Sequence, residues 1–186
     1  MKKIYILLML LGSSVISADP FLDTNQYGIA SYDNNTKFLC CGSYSVDGIP
    51  VWILTSQLAS DYSPDPNFGG GTGYVLETGL GVSTAYAVNV DALGGIYVAG
   101  STLVGTIPTW TIIKYTATGV RDITFGNGTG MVQEIALGVG QPYSISINNA
   151  NPQILYVGGF TAIDGHPIMT VISYNLDGTH NTAFNP

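Results

Sequence analysis

The chain has 186 residues, of which 46% are hydrophobic and only 9% charged, with twelve acids against five basic residues. Charge this sparse excludes a fold of amphipathic surface helices, which need a charged outer face, and the hydrophobic content excludes a disordered chain. The acid excess repels a phosphate backbone, which argues against nucleic acid and leaves a cationic or neutral partner, such as a glycan.

The first 18 residues have the layout of a secretory signal. Lys2 and Lys3 form a basic start, Ile4 to Leu11 an apolar run, and Gly12, Ser13, Ser14, Ser17 and Ala18 a small-residue segment. Cleavage after Ala18 is expected, although Ile16 is larger than the small residue usual two positions earlier. The alternative is an uncleaved membrane anchor, for which the apolar run is short against a span of about 20 residues, and no Cys follows it as in a lipoprotein. The mature chain, 19–186, is expected to be secreted, periplasmic or on the cell surface, with no later membrane span. It keeps Lys37, Lys114 and Arg121 against twelve acids, a net charge of −9.

From residue 25 onward the sequence repeats with a period of about 58 residues. Phe68-Gly69-Gly70-Gly71-Thr72-Gly73-Tyr74-Val75 recurs as Phe125-Gly126-Asn127-Gly128-Thr129-Gly130-Met131-Val132, and Leu80-Gly81-Val82 as Leu137-Gly138-Val139. Tyr27, Tyr86 and Tyr143 each open an apolar-polar alternation. Leu39-Cys40-Cys41-Gly42 matches Tyr97-Val98-Ala99-Gly100 and Tyr156-Val157-Gly158-Gly159. Pro50, Pro108 and Pro167 follow, then Trp52, Trp110 and Met169, and Phe68, Phe125 and Phe184 close the copies. The copies run over 25–72, 73–129 and 130–186.

The middle copy predicts four strands, near Gly73–Thr78, Ala85–Val90, Gly95–Ser101 and Trp110–Tyr115. The third and fourth are nearly continuous apolar runs, as in strands covered on both faces. Gly-Gly, Thr-Gly, Asn-Gly and Asp-Gly pairs supply the positive φ of tight hairpins. The expected fold is all-β: about three four-stranded antiparallel blades of a β-propeller, open as a single chain. Solenoid repeats are shorter, and immunoglobulin-like sandwiches need about 100 residues. On this reading the first blade lacks its first strand, which would fall where the signal lies. A strand that could complete the last blade is missing too. Exposed edges then predict self-association, either as paired halves or within a longer propeller.

Cys40 and Cys41 are adjacent, so on a strand they point to opposite faces and cannot bridge without distortion. They are expected to be two small buried side chains, neither a disulfide nor a metal site.

The copies resemble the delta-60 repeat, a bacterial β-propeller repeat of poorly known function. The resemblance spans about 25–186 and rests on the closing Asp-x-x-Phe-Gly and a preceding Gly. Asp65-Pro66-Asn67-Phe68-Gly69 and Asp122-Ile123-Thr124-Phe125-Gly126 carry it, with Thr118-Gly119 and the pair Trp110 and Tyr115. The third copy has Asn181 and Asn185 around Phe184 but keeps Asp177-Gly178. The first has Gln57 where the others have Tyr115 and Tyr174. The resemblance implies a propeller and no particular activity.

Among single residues, Asp65 and Asp122 are expected to close turns by accepting backbone N–H groups, with Phe68, Phe125 and Phe184 as their apolar anchors. Trp52 and Trp110 are expected in the core between blades, the alternative being a platform that stacks on a glycan. Asp164, His166, Asp177 and His180 match no metal-binding loop. No Ser stands in a nucleophile elbow and no Cys–His pair is visible. Gly69 to Gly73 lacks the following helix and Lys of a phosphate loop. The expectation is therefore no catalytic residue, no metal and no cofactor: an exported, non-catalytic protein or glycan binder or scaffold. A hydrolase or lyase with acids at a central channel, and a remnant of a longer propeller, are the alternatives.

Overall fold

The computed structural model describes residues 24–148 and 150–184, so the expected signal peptide lies outside the described residues. The strands are β1 (Thr24–Tyr32), β2 (Lys37–Val46), β3 (Ile49–Leu58), β4 (Tyr74–Leu76), β5 (Ser83–Val90), β6 (Ile96–Val104), β7 (Ile107–Tyr115), β8 (Met131–Gln133), β9 (Gly140–Ile147), β10 (Ile154–Ile163) and β11 (His166–Asn175). Among the described residues helix is confined to single 3-10 turns at Gly69–Gly71, Thr78–Leu80 and Ile135–Leu137.

The long hairpins follow from their turn residues. Asp47-Gly48 and Asp164-Gly165 both have positive φ at the two loop positions, which matches the twist of the flanking strands. The apolar runs continue past the segments expected from sequence because Pro108 pairs with Leu103 beside the Gly105 turn, so β7 begins at Ile107.

The strands form three antiparallel sheets, β1-β2-β3-β4, β5-β6-β7-β8 and β9-β10-β11, in which sequence neighbours are spatial neighbours. The sheet boundaries do not fall where the repeat predicts. Residues 74–76 were expected to open the second sheet, but they close the first. Beyond β3 the chain turns at Asp65 to Phe68 and returns antiparallel to it. Asp65 N–H donates to the Ser56 carbonyl (2.9 Å), Ser56 N–H to that of Gly73 (2.7 Å) and Glu77 N–H to that of Trp52 (3.0 Å). The turn through Thr78–Leu80 and Gly81 then carries the chain into β5. The first sheet, expected to lack a strand, is therefore four-stranded, and the third has three strands among the described residues.

Consecutive sheets pack face to face. Leu39, Cys41, Trp52, Leu54 and Phe68 of the first meet Ala85, Val88, Val98, Ile113 and Tyr115 of the second. The equivalent residues Tyr97, Ala99, Trp110, Ile112 and Phe125 of the second meet Ile145, Leu155, Val157 and Tyr174 of the third. β5 lies beside β1 on one side and β9 on the other. Cys40 and Cys41 are both free and buried.

The closing Phe-Gly is an interlock between sheets. Gly69 N–H donates to the Thr118 carbonyl (3.0 Å), and Gly126 N–H to that of Asp177 (2.9 Å). A Cβ on Gly119 would lie 2.8 Å from the Phe68 ring, so the ring requires a glycine there.

Candidate functional site

The first strand of each sheet carries a β-bulge, and the extra residue is each time the recurring tyrosine. Gln26 and Gly28 pair with Gly42 and Cys41, leaving Tyr27 unpaired. Ala85 and Ala87 pair with Gly100 and Ala99, leaving out Tyr86. Pro142 and Ser144 pair with Gly159 and Gly158, leaving out Tyr143. The bulge brings the two backbones together. A Cβ on Gly42, Gly100 or Gly159 would collide with the carbonyl oxygen of Asn25, Thr84 or Gln141 respectively. This is why a glycine recurs in the second strand.

Bulges re-aim side chains, and here they align the tyrosines across the sheets. The Tyr27 and Tyr86 rings lie 5.3 Å apart, those of Tyr86 and Tyr143 5.9 Å, and Tyr143 lies 5.9 Å from Phe160. Tyr27 and Tyr143 are 56% and 55% exposed. The result is a continuous aromatic ladder running across three sheets, exposed at Tyr27 and Tyr143 and partly buried at Tyr86 between them.

Trp52 and Trp110 are both fully buried, at 0% exposure, which leaves no ring face on which a sugar could stack. Trp110 Nε1 donates to the Phe160 carbonyl (2.8 Å), whereas Trp52 Nε1 has no partner among the described residues. Two of the exposed tyrosines, Tyr27 and Tyr143, stand instead at the bulges.

Asp65 Oδ1 accepts Asn67 N–H (2.9 Å), and its Oδ2 faces Lys37 Nζ (3.0 Å) and the Ser56 hydroxyl (3.2 Å). Burial alone would raise the Asp65 carboxyl, but the Asn67 N–H and Lys37 outweigh it and hold the pKa below the ordinary value. Asp122 accepts Thr124 N–H (3.0 Å) and hydroxyl (2.7 Å), and Lys114 lies 2.9 Å away. The Thr124 hydroxyl first, then Lys114, hold this carboxyl low as well. In the third copy Asn181 Oδ1 takes the same place, accepting Ala183 N–H (3.1 Å). Phe68 and Phe125 are buried beside these turns, while Phe184 is half exposed.

The aspartates and histidines of the last copy do not converge. Asp164 and His166 stand at one end of β11, and Asp177 and His180 beyond the other, so a ten-residue strand of about 30 Å separates them. His180 Nε2 instead meets Glu134 Oε1 (2.7 Å). Glu134 also accepts the Tyr174 hydroxyl (2.9 Å). The preceding sheet repeats this arrangement: Glu77 accepts the Tyr115 hydroxyl (3.0 Å) and pairs with Arg121. Sequence reasoning passed over both glutamates. The signal was there, since Glu77 and Glu134 recur in step just before Leu80-Gly81 and Leu137-Gly138.

A cleft of about 550 Å³ lies between the β1–β2 and β5–β6 turns, lined among others by Tyr32, Asp33, Lys37, Asp91 and Leu93. Its charged groups are engaged within the fold. Asp91 Oδ1 accepts N–H groups of Leu93 and Gly95 (both 2.8 Å), its Oδ2 accepts the Tyr97 hydroxyl (3.1 Å), and Lys37 is paired with Asp65. The tyrosine ladder is thus a feature that all three sheets share.

No protein-family model and no curated protein matches the chain.

Proposed function

We propose that the chain is an exported, non-catalytic β-propeller module of the delta-60 repeat type, and that its tyrosine ladder binds a surface glycan. The propeller reading is supported by the tandem meander sheets, by the adjacency of β1, β5 and β9, and by fourth strands drawn from the next repeat. The residues that carry the delta-60 resemblance are those that lock one sheet to the next. Export is supported by the N-terminal layout alone.

The observation that carries the ligand reading is the placement of Tyr27, Tyr86 and Tyr143 at three equivalent bulges, ring beside ring. Each bulge gives up a regular backbone pair to place a tyrosine in the row, and two of the three, Tyr27 and Tyr143, are exposed. A tyrosine offers an apolar face and a hydroxyl at its tip, so it suits a partner with C–H faces and hydroxyl rims. The net acidity disfavours an anionic polymer and leaves a neutral or cationic glycan.

The test is a glycan array of bacterial and host surface polysaccharides, probed with the exported chain and with Tyr86→Ser and Tyr143→Ser variants. The expected result is binding that both substitutions abolish while thermal melting is kept. No glycan bound by the native chain, or equal binding by the variants, overturns the reading.

A further inference from the structure

We infer that the outer edge and face of the third sheet form a docking site for one further unit of this chain's own repeat type, which enters as an extended Gly–(Tyr or Met)–Val–X–Glu strand. The inference does not depend on what the tyrosine ladder binds.

The edge is the first ground. In the first sheet Ile53, Leu54 and Thr55 pair with Leu76, Val75 and Tyr74. In the second, Thr111, Ile112 and Ile113 pair with Gln133, Val132 and Met131. The equivalent residues of β11 are Thr170, Val171 and Ile172, and among the described residues no strand pairs with that edge. A cleft of about 290 Å³ runs along it, lined by Leu137, Thr170 to Ser173 and Asn181 among others. Leu137 is the counterpart of Leu80, which packs on the first interface together with Met131 of the added strand. The cleft is therefore built from the same positions that hold β8 one sheet earlier. Ser173 Oγ lies buried in its wall with no partner among the described residues.

The face is the second. Trp52, Leu54 and Phe68 are fully buried by the second sheet, and Trp110, Ile112 and Phe125 by the third. Their counterparts Met169, Val171 and Phe184 are 87%, 42% and 45% exposed. This face continues the series of the two sheet interfaces, with the same positions left open. Among the described residues no glycine turn meets Phe184 as Gly119 meets Phe68 and Gly178 meets Phe125.

Edge and face ask for one occupant. A strand alone would satisfy Thr170 to Ile172 but leave Met169 and Phe184 in water. A sheet alone would cover the face but leave the edge unpaired. In this chain both are supplied by the repeat that follows, since β4 precedes β5 and β8 precedes β9. An added strand gains backbone hydrogen bonds from the edge and specificity from its alternate side chains. The residue opposite Ile172 must be apolar to meet Leu137, as Tyr74 and Met131 are at their positions.

The probe is a fluorescein-labelled peptide of residues 128–138, Gly-Thr-Gly-Met-Val-Gln-Glu-Ile-Ala-Leu-Gly, titrated with the full chain and followed by anisotropy. Saturable one-to-one binding is expected. It should be lost when the peptide's Val132 is replaced by Pro and when the chain carries Val171→Lys, at a position 42% exposed where the change should leave melting unaltered. No binding, or equal binding of a scrambled peptide, overturns the proposal. Light scattering on the chain alone is the second arm. A dimer that Val171→Lys splits and the peptide cannot displace would make a second copy the occupant, which also overturns it.

Discussion

Tyr115, at the end of β7 in the second sheet, donates its hydroxyl to Glu77 (3.0 Å), which follows β4 of the first. Tyr174 and Glu134 make the same bond between the second and third sheets (2.9 Å). Burial first, then the adjacent carboxylate, raises the pKa of both hydroxyls far above the ordinary value, so both stay protonated donors. Tyr115→Phe is expected to cost about 1.5–3 kcal/mol, as for a hydrogen bond to a charged group. Glu77→Ala should cost more, because it leaves a buried hydroxyl and Arg121 without their acceptor. Urea melts of both variants and of the double variant check this; a purely additive double variant would show that the two residues are uncoupled.

The two tryptophans should respond differently to the same change. Trp110→Phe loses a hydrogen bond to the Phe160 carbonyl, whereas Trp52 Nε1 has no partner among the described residues to lose. Trp110→Phe is expected to be more destabilising than Trp52→Phe by about 1 kcal/mol. Equal midpoints and slopes in denaturant would contradict the bond.

The bulge glycines make a third case. A Cβ at Gly100 meets the Thr84 carbonyl and lies 2.6 Å from Trp52 Cζ3. Gly100→Ala should therefore cost about 1–3 kcal/mol, as for overpacking. Gly105→Ala serves as a comparison for strained φ without crowding, since nothing lies within 4 Å of its Cβ. A Gly100→Ala variant as stable as the native chain would show that the bulge is not packed as described.

Alkaline pH provides the fourth. Burial first, then neighbouring Cys40, pushes the Cys41 thiol up to about 12, and burial raises Cys40 as well. The folded thiols keep their protons while those of the unfolded chain, near 9.0, lose them. The stabilisation is complete below pH 9 and is lost as pH rises from there toward 12. The slope is about 1.4 kcal/mol per pH unit for each thiol still protonated in the fold. Between about pH 9 and 10 the native chain should lose stability toward this slope, and more steeply than a Cys40→Val, Cys41→Ala variant, which keeps only the loss due to its buried tyrosines such as Tyr115 and Tyr174. At neutral pH the same variant should differ by less than about 1.5 kcal/mol, since Val98 and Ala99 fill the equivalent places. Urea midpoints across the range decide it.

The strands, the hairpins and the order of the copies were legible because alternation, Asp-Gly pairs and recurring anchors are local signals. The grouping of strands into sheets was not. Residues 74–76 belong with β3 because of hydrogen bonds from Ser56 and Glu77, and pairing partners leave no trace in a period. The bulges stayed hidden for a similar reason. Tyr27, Tyr86 and Tyr143 stood out as recurring, but a bulge exists only relative to the register of the opposite strand. Trp52 and Trp110 drew attention as large aromatics, yet size also favours burial, and the exposed ladder came from the smaller rings. Glu77 and Glu134 recur alone among apolar and small residues. Their role requires a tyrosine about 40 residues away, and no local spacing announces that.

The offset between repeat and sheet has a consequence in time. As the chain leaves the ribosome, β1, β2 and β3 can pair at once, but their sheet gains its last strand only when residues 74–76 emerge with the next repeat. The same delay recurs at residues 131–133. Each nascent sheet thus holds an open edge until its successor has begun to appear, so assembly is ordered from the N-terminus, and a stall in synthesis would expose the edge of the newest sheet alone.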